Sequence, residues 1–195
     1  MMWKTITANG LLWALLAPAA IAATDMPRAP KTWTADGACP FECCTYQDWG
    51  VERKTSLLEK PEEGAPVIAS IAAGATVKGL TGKVMTTQAG KIRVLRDYLS
   101  EQSGHEYHRG DTVWVYTELG EGFFSVWHGG QLFQEEAGFM YEGRGGWDSC
   151  SREGNCWGAR VSFPKSVWWV KVKTAAGLTG WTRETDHFSH MDSCS

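Results

Sequence analysis

Pro66-Val67-Ile68-Ala69-Ser70-Ile71, Thr76-Val77-Lys78-Gly79-Leu80, Lys83-Val84-Met85-Thr86-Thr87 and Lys91-Ile92-Arg93-Val94-Leu95 follow one another between residues 66 and 95. Each is a short run rich in β-branched and apolar side chains, which suit a pleated, half-buried surface. Turn-forming residues separate them: Gly74, Thr81-Gly82 and Ala89-Gly90. Strands this short and this close predict tight antiparallel hairpins. No segment of the chain sustains helical periodicity, so the whole reads as all-β.

Working outward, a second series follows in Thr112-Val113-Trp114-Val115-Tyr116, Phe123-Phe124-Ser125-Val126-Trp127 and Gln131-Leu132-Phe133, with turns at Gly120-Glu121-Gly122 and Gly129-Gly130. A last pair, 167–173 and 179–181, is joined at Ala175-Ala176-Gly177. The two series echo one another. Gly74-Ala75-Thr76-Val77 and Gly110-Asp111-Thr112-Val113 both place Gly-x-Thr-Val where a strand starts, a weak internal repeat.

The amino end carries Lys4, an uncharged apolar stretch from Leu11 to Ala23, and Ala20-Ile21-Ala22, the pattern of a secretory leader cleaved after Ala22 or Ala23. That stretch is too short to span a bilayer as a helix. Residues 1–23 are therefore expected to be a signal peptide, and the mature chain a periplasmic or secreted protein without membrane insertion. Without the leader, 18 Lys and Arg face 22 Asp and Glu. No basic stripe is available to neutralise phosphates, which argues against nucleic acid. Residues 24–38 are polar, contain Pro27 and Pro30, lack periodicity and are expected to form a flexible arm.

All six cysteines lie beyond the leader, and in an exported chain an even set reads as a disulfide framework. Cys150 and Cys156 flank a short polar loop and are the one pairing that spacing singles out, worth about 2 kcal/mol by loop-closure entropy. Cys194 lies beside the carboxyl end while Cys39, Cys43 and Cys44 cluster near the mature amino end, so one bridge is expected to tie the termini, its partner open among the three. Adjacent cysteines rarely bond to each other. Cys43 and Cys44 are thus expected to have different fates. Cys39, Cys44, Cys150, Cys156 and Cys194 are assigned to bridges, with one cysteine of the adjacent pair left as a candidate free thiol.

Thr55-Ser56-Leu57-Leu58-Glu59-Lys60-Pro61, then Pro66 to Ile71 and Gly74-Ala75-Thr76-Val77, resembles the opening of bacterial SH3-like domains. Trp168-Trp169-Val170-Lys171-Val172-Lys173 followed by Gly177-Leu178-Thr179-Gly180-Trp181-Thr182 is similar to their closing strand and Gly-Trp pair. The start at Cys39-Pro40-Phe41-Glu42, ahead of Trp49, also looks like exported bacterial proteins that carry this domain. About 70 residues separate the two halves, more than an isolated domain of this type holds. The resemblance implies two small, bent, disulfide-stapled SH3-like barrel units. The preferred division is tandem, 39–105 and 106–195, the second carrying a Gly-rich disulfide loop. The alternative is nested, 54–97 plus 167–183 with 98–166 inserted. Such domains bind cell-wall peptides or protein segments and often accompany a catalytic domain, for which this chain has no room.

Catalytic readings fare poorly. Cysteines committed to disulfides leave no thiolate nucleophile. His105-x-x-His108 and His187-x-x-His190 offer zinc-like spacing, but both sit in polar stretches and are read as exposed loop histidines. Glu135-Glu136, or Glu142 with Asp148, is read as solvated acidic loop rather than a glycosidase pair. Glu142-Gly143-Arg144-Gly145-Gly146-Trp147 lacks the lysine of a phosphate cradle and is read as a connector. No enzyme activity, cofactor or metal is expected.

The tryptophans carry more. Eleven occur, nine of them beyond the leader, and most should fill small cores. Strand alternation places Trp114 and Tyr116 opposite Val113 and Val115, and Trp169 opposite Trp168, Val170 and Val172. With Trp127, these rings either lie under a second packed unit or form an aromatic surface for sugar faces or proline-rich peptides. The expected function is a non-catalytic binding protein of the cell envelope that recognises a cell-wall peptide or glycan through Trp114, Tyr116, Trp127 and Trp169. The alternative is an inhibitor or immunity factor of an envelope hydrolase or toxin, with an envelope protein as its partner.

Overall fold

A computed structural model describes residues 28–141, 150 and 154–194. The expected leader, the connector 142–147 and Asp148 lie outside the described residues. The fold is all-β, with curled antiparallel sheets. In chain order the strands are β1 Trp33–Asp36, β2 Asp48–Val51, β3 Thr55–Leu58, β4 Val67–Ile71, β5 Thr76–Gln88, β6 Gly90–Val94, β7 Tyr98–Leu99, β8 Glu106–Tyr107, β9 Thr112–Gly120, β10 Phe123–His128, β11 Gln131–Glu136, β12 Gly158–Ser162, β13 Lys165–Thr174, β14 Thr179–Thr182 and β15 Phe188–Ser189. Among the described residues no helix is long and apolar enough to cross a membrane.

The larger sheet runs β15-β2-β5-β13-β14-β3-β4, with β1 on a further stretch of β5. The smaller runs β11-β10-β9-β6-β12, and β7 pairs with β8 as a separate hairpin. Strands of the larger sheet thus come from 33–88 and 165–189, those of the smaller from 90–162. The chain changes sheet between β5 and β6 and again between β12 and β13, and neither change falls at residue 105. Each sheet has its own apolar cluster. Trp49, Val51, Leu57, Val77, Val170, Val172 and Phe188 fill one. Ile92, Val94, Val113, Val115, Phe124, Val126 and Trp157 anchor the other.

The turn expected at Thr81-Gly82 is absent, and β5 is one continuous strand of 13 residues. The reason is a bulge. Thr81 pairs with Lys171 and Gly79 with Val172, which leaves Leu80 as an extra residue on β5. A one-residue insertion reverses which side chains face inward: Val77 is buried before it, Val84 and Thr86 after it. Gly82 is required by close approach, because a Cβ there would lie 2.5 Å from Trp168 Nε1 and 2.7 Å from the Ala38 carbonyl. The arm expected over 24–38 also contains structure. Its residues Trp33–Asp36 form β1, paired from Trp33↔Thr86 to Asp36↔Lys83.

Cysteine pairing identifies which of the clustered three ties the termini. Cys39 bonds Cys44, Cys43 bonds Cys194 and Cys150 bonds Cys156. No cysteine is free, so the free thiol expected in the adjacent pair is corrected, while the two do have different partners. Cys43 adopts φ +57°, in the left-handed region. The carboxyl end is laid alongside it by backbone bonds from Thr45 N to Met191 O (2.9 Å) and from Ser193 N to Cys43 O (2.9 Å).

Candidate functional site

Two of the expected aromatic residues meet on one face of the smaller sheet. Trp114 of β9 and Trp127 of β10 are register partners. Val113, Val115 and Val126 beside them point into the core, so alternation turns both indoles outward; each is partly exposed. The row continues on both sides. Lys91 of β6 pairs with Trp114 and holds its ammonium 4.7 Å from that ring centroid. Leu132 of β11 pairs with Trp127 and is 39% exposed. The sequence Lys91-Trp114-Trp127-Leu132 is therefore a cross-strand ladder, the geometry in which side chains on a sheet act together.

Tyr116 and Trp169 do not join that surface. Tyr116 follows Trp114 on the same face but is fully buried. The amino-terminal segment covers it: its hydroxyl donates to Pro30 O (2.7 Å) and Trp33 lies 5.8 Å from its ring. Burial pushes the Tyr116 phenol up to about 12. Trp169 is only 3% exposed, within the larger sheet. Alternation identified its side of the strand and gave no information on what lies over it. Tyr116 instead marks the junction of the sheets, where Thr86 Oγ1 donates to its carbonyl (2.9 Å). Beside it a cleft of about 520 Å³ is lined by Trp168, Phe163, Pro164 and Glu118 among others.

The histidines are regrouped by the fold. His105 Nε2 lies 2.8 Å from His128 Nδ1, and His128 Nε2 lies 3.1 Å from Asp111 Oδ2. His108 stands apart, exposed and 3.8 Å from Asp97. His187 contacts Thr55 Oγ1 at 3.1 Å, while His190 lies near Ser189. Neither His-x-x-His spacing brings its two rings to a common point. Among the described residues, the one trio of possible ligand atoms within 4.8 Å of one another is Cys43, Asp192 and Cys194, and both of its sulfurs are bridged.

Glu135 and Glu136 separate completely. Glu135 is fully buried and accepts from Ser100 Oγ (2.5 Å), Ser103 Oγ (2.5 Å) and the Tyr107 hydroxyl (2.9 Å). Burial, and then the neighbouring Glu135 charge, hold the Tyr107 phenol well above its usual range. Glu136 faces the other way, and its carbonyl accepts from Trp157 Nε1 (3.1 Å). The solvated acidic loop expected here is thus a strand with one carboxylate sealed inside. Sequence spacing missed Ser100, Ser103, Tyr107, Asp111 and His128 as partners, because they converge only where the β7-β8 hairpin packs on β10 and β11. Comparison of the chain with protein-family models, with curated proteins and with solved structures finds no match to any of them.

Proposed function

We propose that the mature chain is an exported, non-catalytic binding protein of the cell envelope that takes a cell-wall glycan or peptide on the Trp114-Trp127 face. The observation that carries this reading is the ladder itself: two register-paired, partly exposed indoles flanked by a cation and an exposed leucine. Flat indole faces pack against sugar rings and extended peptides, and they lose little conformational freedom on binding because two χ angles fix them. Lys91 adds a charge that attracts carboxylates of an acidic wall polymer. The three disulfides favour an oxidising compartment.

The SH3-like relationship of the larger sheet remains part of this proposal. Its support is that the opening motif, in β3, β4 and the start of β5, and the closing motif, in β13 and β14, share one sheet.

The test is retention on purified insoluble cell wall. Trp114→Ala and Trp127→Ala should each lower retention at least tenfold with the far-ultraviolet circular dichroism unchanged. Retention equal to wild type in the double variant would remove the reading. Recovery of one envelope enzyme in stoichiometric amount, with no wall retention, would replace it with the inhibitor reading.

A further inference from the structure

The tip of the β7-β8 hairpin is fixed to the smaller sheet at two polar points. Glu135 of β11 gathers the Ser100, Ser103 and Tyr107 hydroxyls at one. At the other, His105 stacks on Phe133 with ring centroids 4.0 Å apart and meets His128 at the end of β10. Within the tip, Ser100 N donates to His105 O (2.9 Å), Gly104 N to Ser100 O (2.8 Å) and His105 N to Ser103 Oγ (3.1 Å). We propose that Asp111, His128 and His105 form an acid-released latch that fixes this hairpin tip to the five-stranded sheet.

Asp111 Oδ2 already accepts the His108 amide (2.8 Å) and, as a carboxylate, only accepts, so His128 carries its proton on Nε2. In neutral His128, Nδ1 is then a bare lone pair, and the 2.8 Å contact requires His105 to donate from Nε2. Both contacts are satisfied with one hydrogen each. A first added proton goes to His105 Nδ1 and disturbs neither contact. A second has only His128 Nδ1 left, where it sets N–H against N–H between two cations. The first proton therefore keeps both hydrogen bonds but charges His105 where burial and the His128 ring disfavour the cation, which weakens the latch, and the second breaks it.

The groups facing this pair set the direction. Burial and the His128 ring lower the His105 imidazole below its usual value; Glu135 from β11, Glu106 from β8 and Asp111 from the segment before β9 act the other way without overcoming them. Tyr107, neutral, lies edge-on to His105 at 4.7 Å and 5.0 Å from His128. A histidine depressed in the closed form binds protons more readily when open. Closure is complete above the open-form value, about 6.5, and weakens as pH falls below it.

Native-state hydrogen exchange tests this, with rates corrected for intrinsic pH dependence and β5 and β13 amides as the internal reference. Between pH 7.5 and 5.0, protection of the Ser100, Gly104 and Tyr107 amides should fall at least tenfold relative to that reference. In His105→Gln the side-chain amide donates to neutral His128 or turns to accept from the protonated ring, so the relative fall should vanish. Unchanged relative protection in the wild type, or the same fall in His105→Gln, would overturn the latch. If that variant does not fold, ring-nitrogen NMR of the wild type decides. The expected His128 tautomer carries its hydrogen on Nε2. A doubly protonated His128 while the tip amides stay protected would refute the proposal.

Discussion

Gly90 and Pro164 face each other where the two sheets join. A Cβ on Gly90 would lie 2.7 Å from Pro164 N and 2.8 Å from the Ser162 carbonyl. Gly90 opens β6 just after the crossing from β5, and Pro164 stands between β12 and β13, so the two crossings run side by side as one ribbon. Gly90→Val should therefore cost about 1–3 kcal/mol by forcing backbone apart in a packed region, read as a lower urea midpoint. A midpoint equal to wild type would mean that the crossings are not in contact.

The Cys43–Cys194 bridge closes a span of 151 residues, Cys39–Cys44 one of 5. Loop-closure entropy grows with the logarithm of span, which gives about 5 kcal/mol for the first and about 2 kcal/mol for the second. Replacing both cysteines of each pair by serine and comparing urea unfolding should rank the losses in that order. The reverse order would show that local geometry at Cys43 and Cys44 outweighs the constraint on the unfolded chain.

Fold class was legible because β-branched runs and glycine turns act locally: the strands expected at 112–116, 123–127, 131–133, 167–173 and 179–181 all fall within β9, β10, β11, β13 and β14. Pairing was less so. Leu80 converts an apparent turn into a bulge only because β13 runs beside it, and nothing near residue 80 announces that partner. The ladder face followed from alternation at Trp114. Burial of Tyr116 did not, since it depends on Pro30 and Trp33, more than 80 residues away. His105 and His128 meet through strand register, which sequence spacing does not encode.

The tryptophans should divide by what covers them. Trp169, nearly fully buried, should cost about 3–5 kcal/mol as Trp169→Ala. Trp127, partly exposed on the ladder, should cost about 1 kcal/mol or less in stability while reducing wall retention. Chemical denaturation of both variants beside the retention assay measures the split. Equal destabilisation would place Trp127 in the core and remove it from the binding face.

Glu135 has hydroxyl donors on both oxygens and no cation paired with it among the described residues. Glu135→Ala leaves Ser100, Ser103 and Tyr107 without their acceptor, and a loss of about 2–4 kcal/mol follows from stranded buried hydroxyls and the vacated space. Tyr107→Phe in the Glu135→Ala background should cost less than in wild type, because the bond is already gone. Additive losses in that cycle would mean that the two side chains do not interact.

The alkaline limit of the fold follows from its phenols. All five tyrosines, Tyr46, Tyr98, Tyr107, Tyr116 and Tyr141, are raised, in each case first by burial. An unfolded phenol ionises near pH 10, so above that pH the unfolded chain holds fewer protons than the native one, and stability falls as pH rises. Fully buried Tyr107 and Tyr116 each contribute up to about 1.4 kcal/mol per pH unit in that window. Below pH 9 they contribute no slope. Phenolate absorbance at 295 nm should therefore stay low through pH 10 and then rise together with loss of near-ultraviolet circular dichroism. Ionisation of Tyr107 and Tyr116 at pH 10 in a protein that keeps its near-ultraviolet signal would show that neither ring is sealed from solvent.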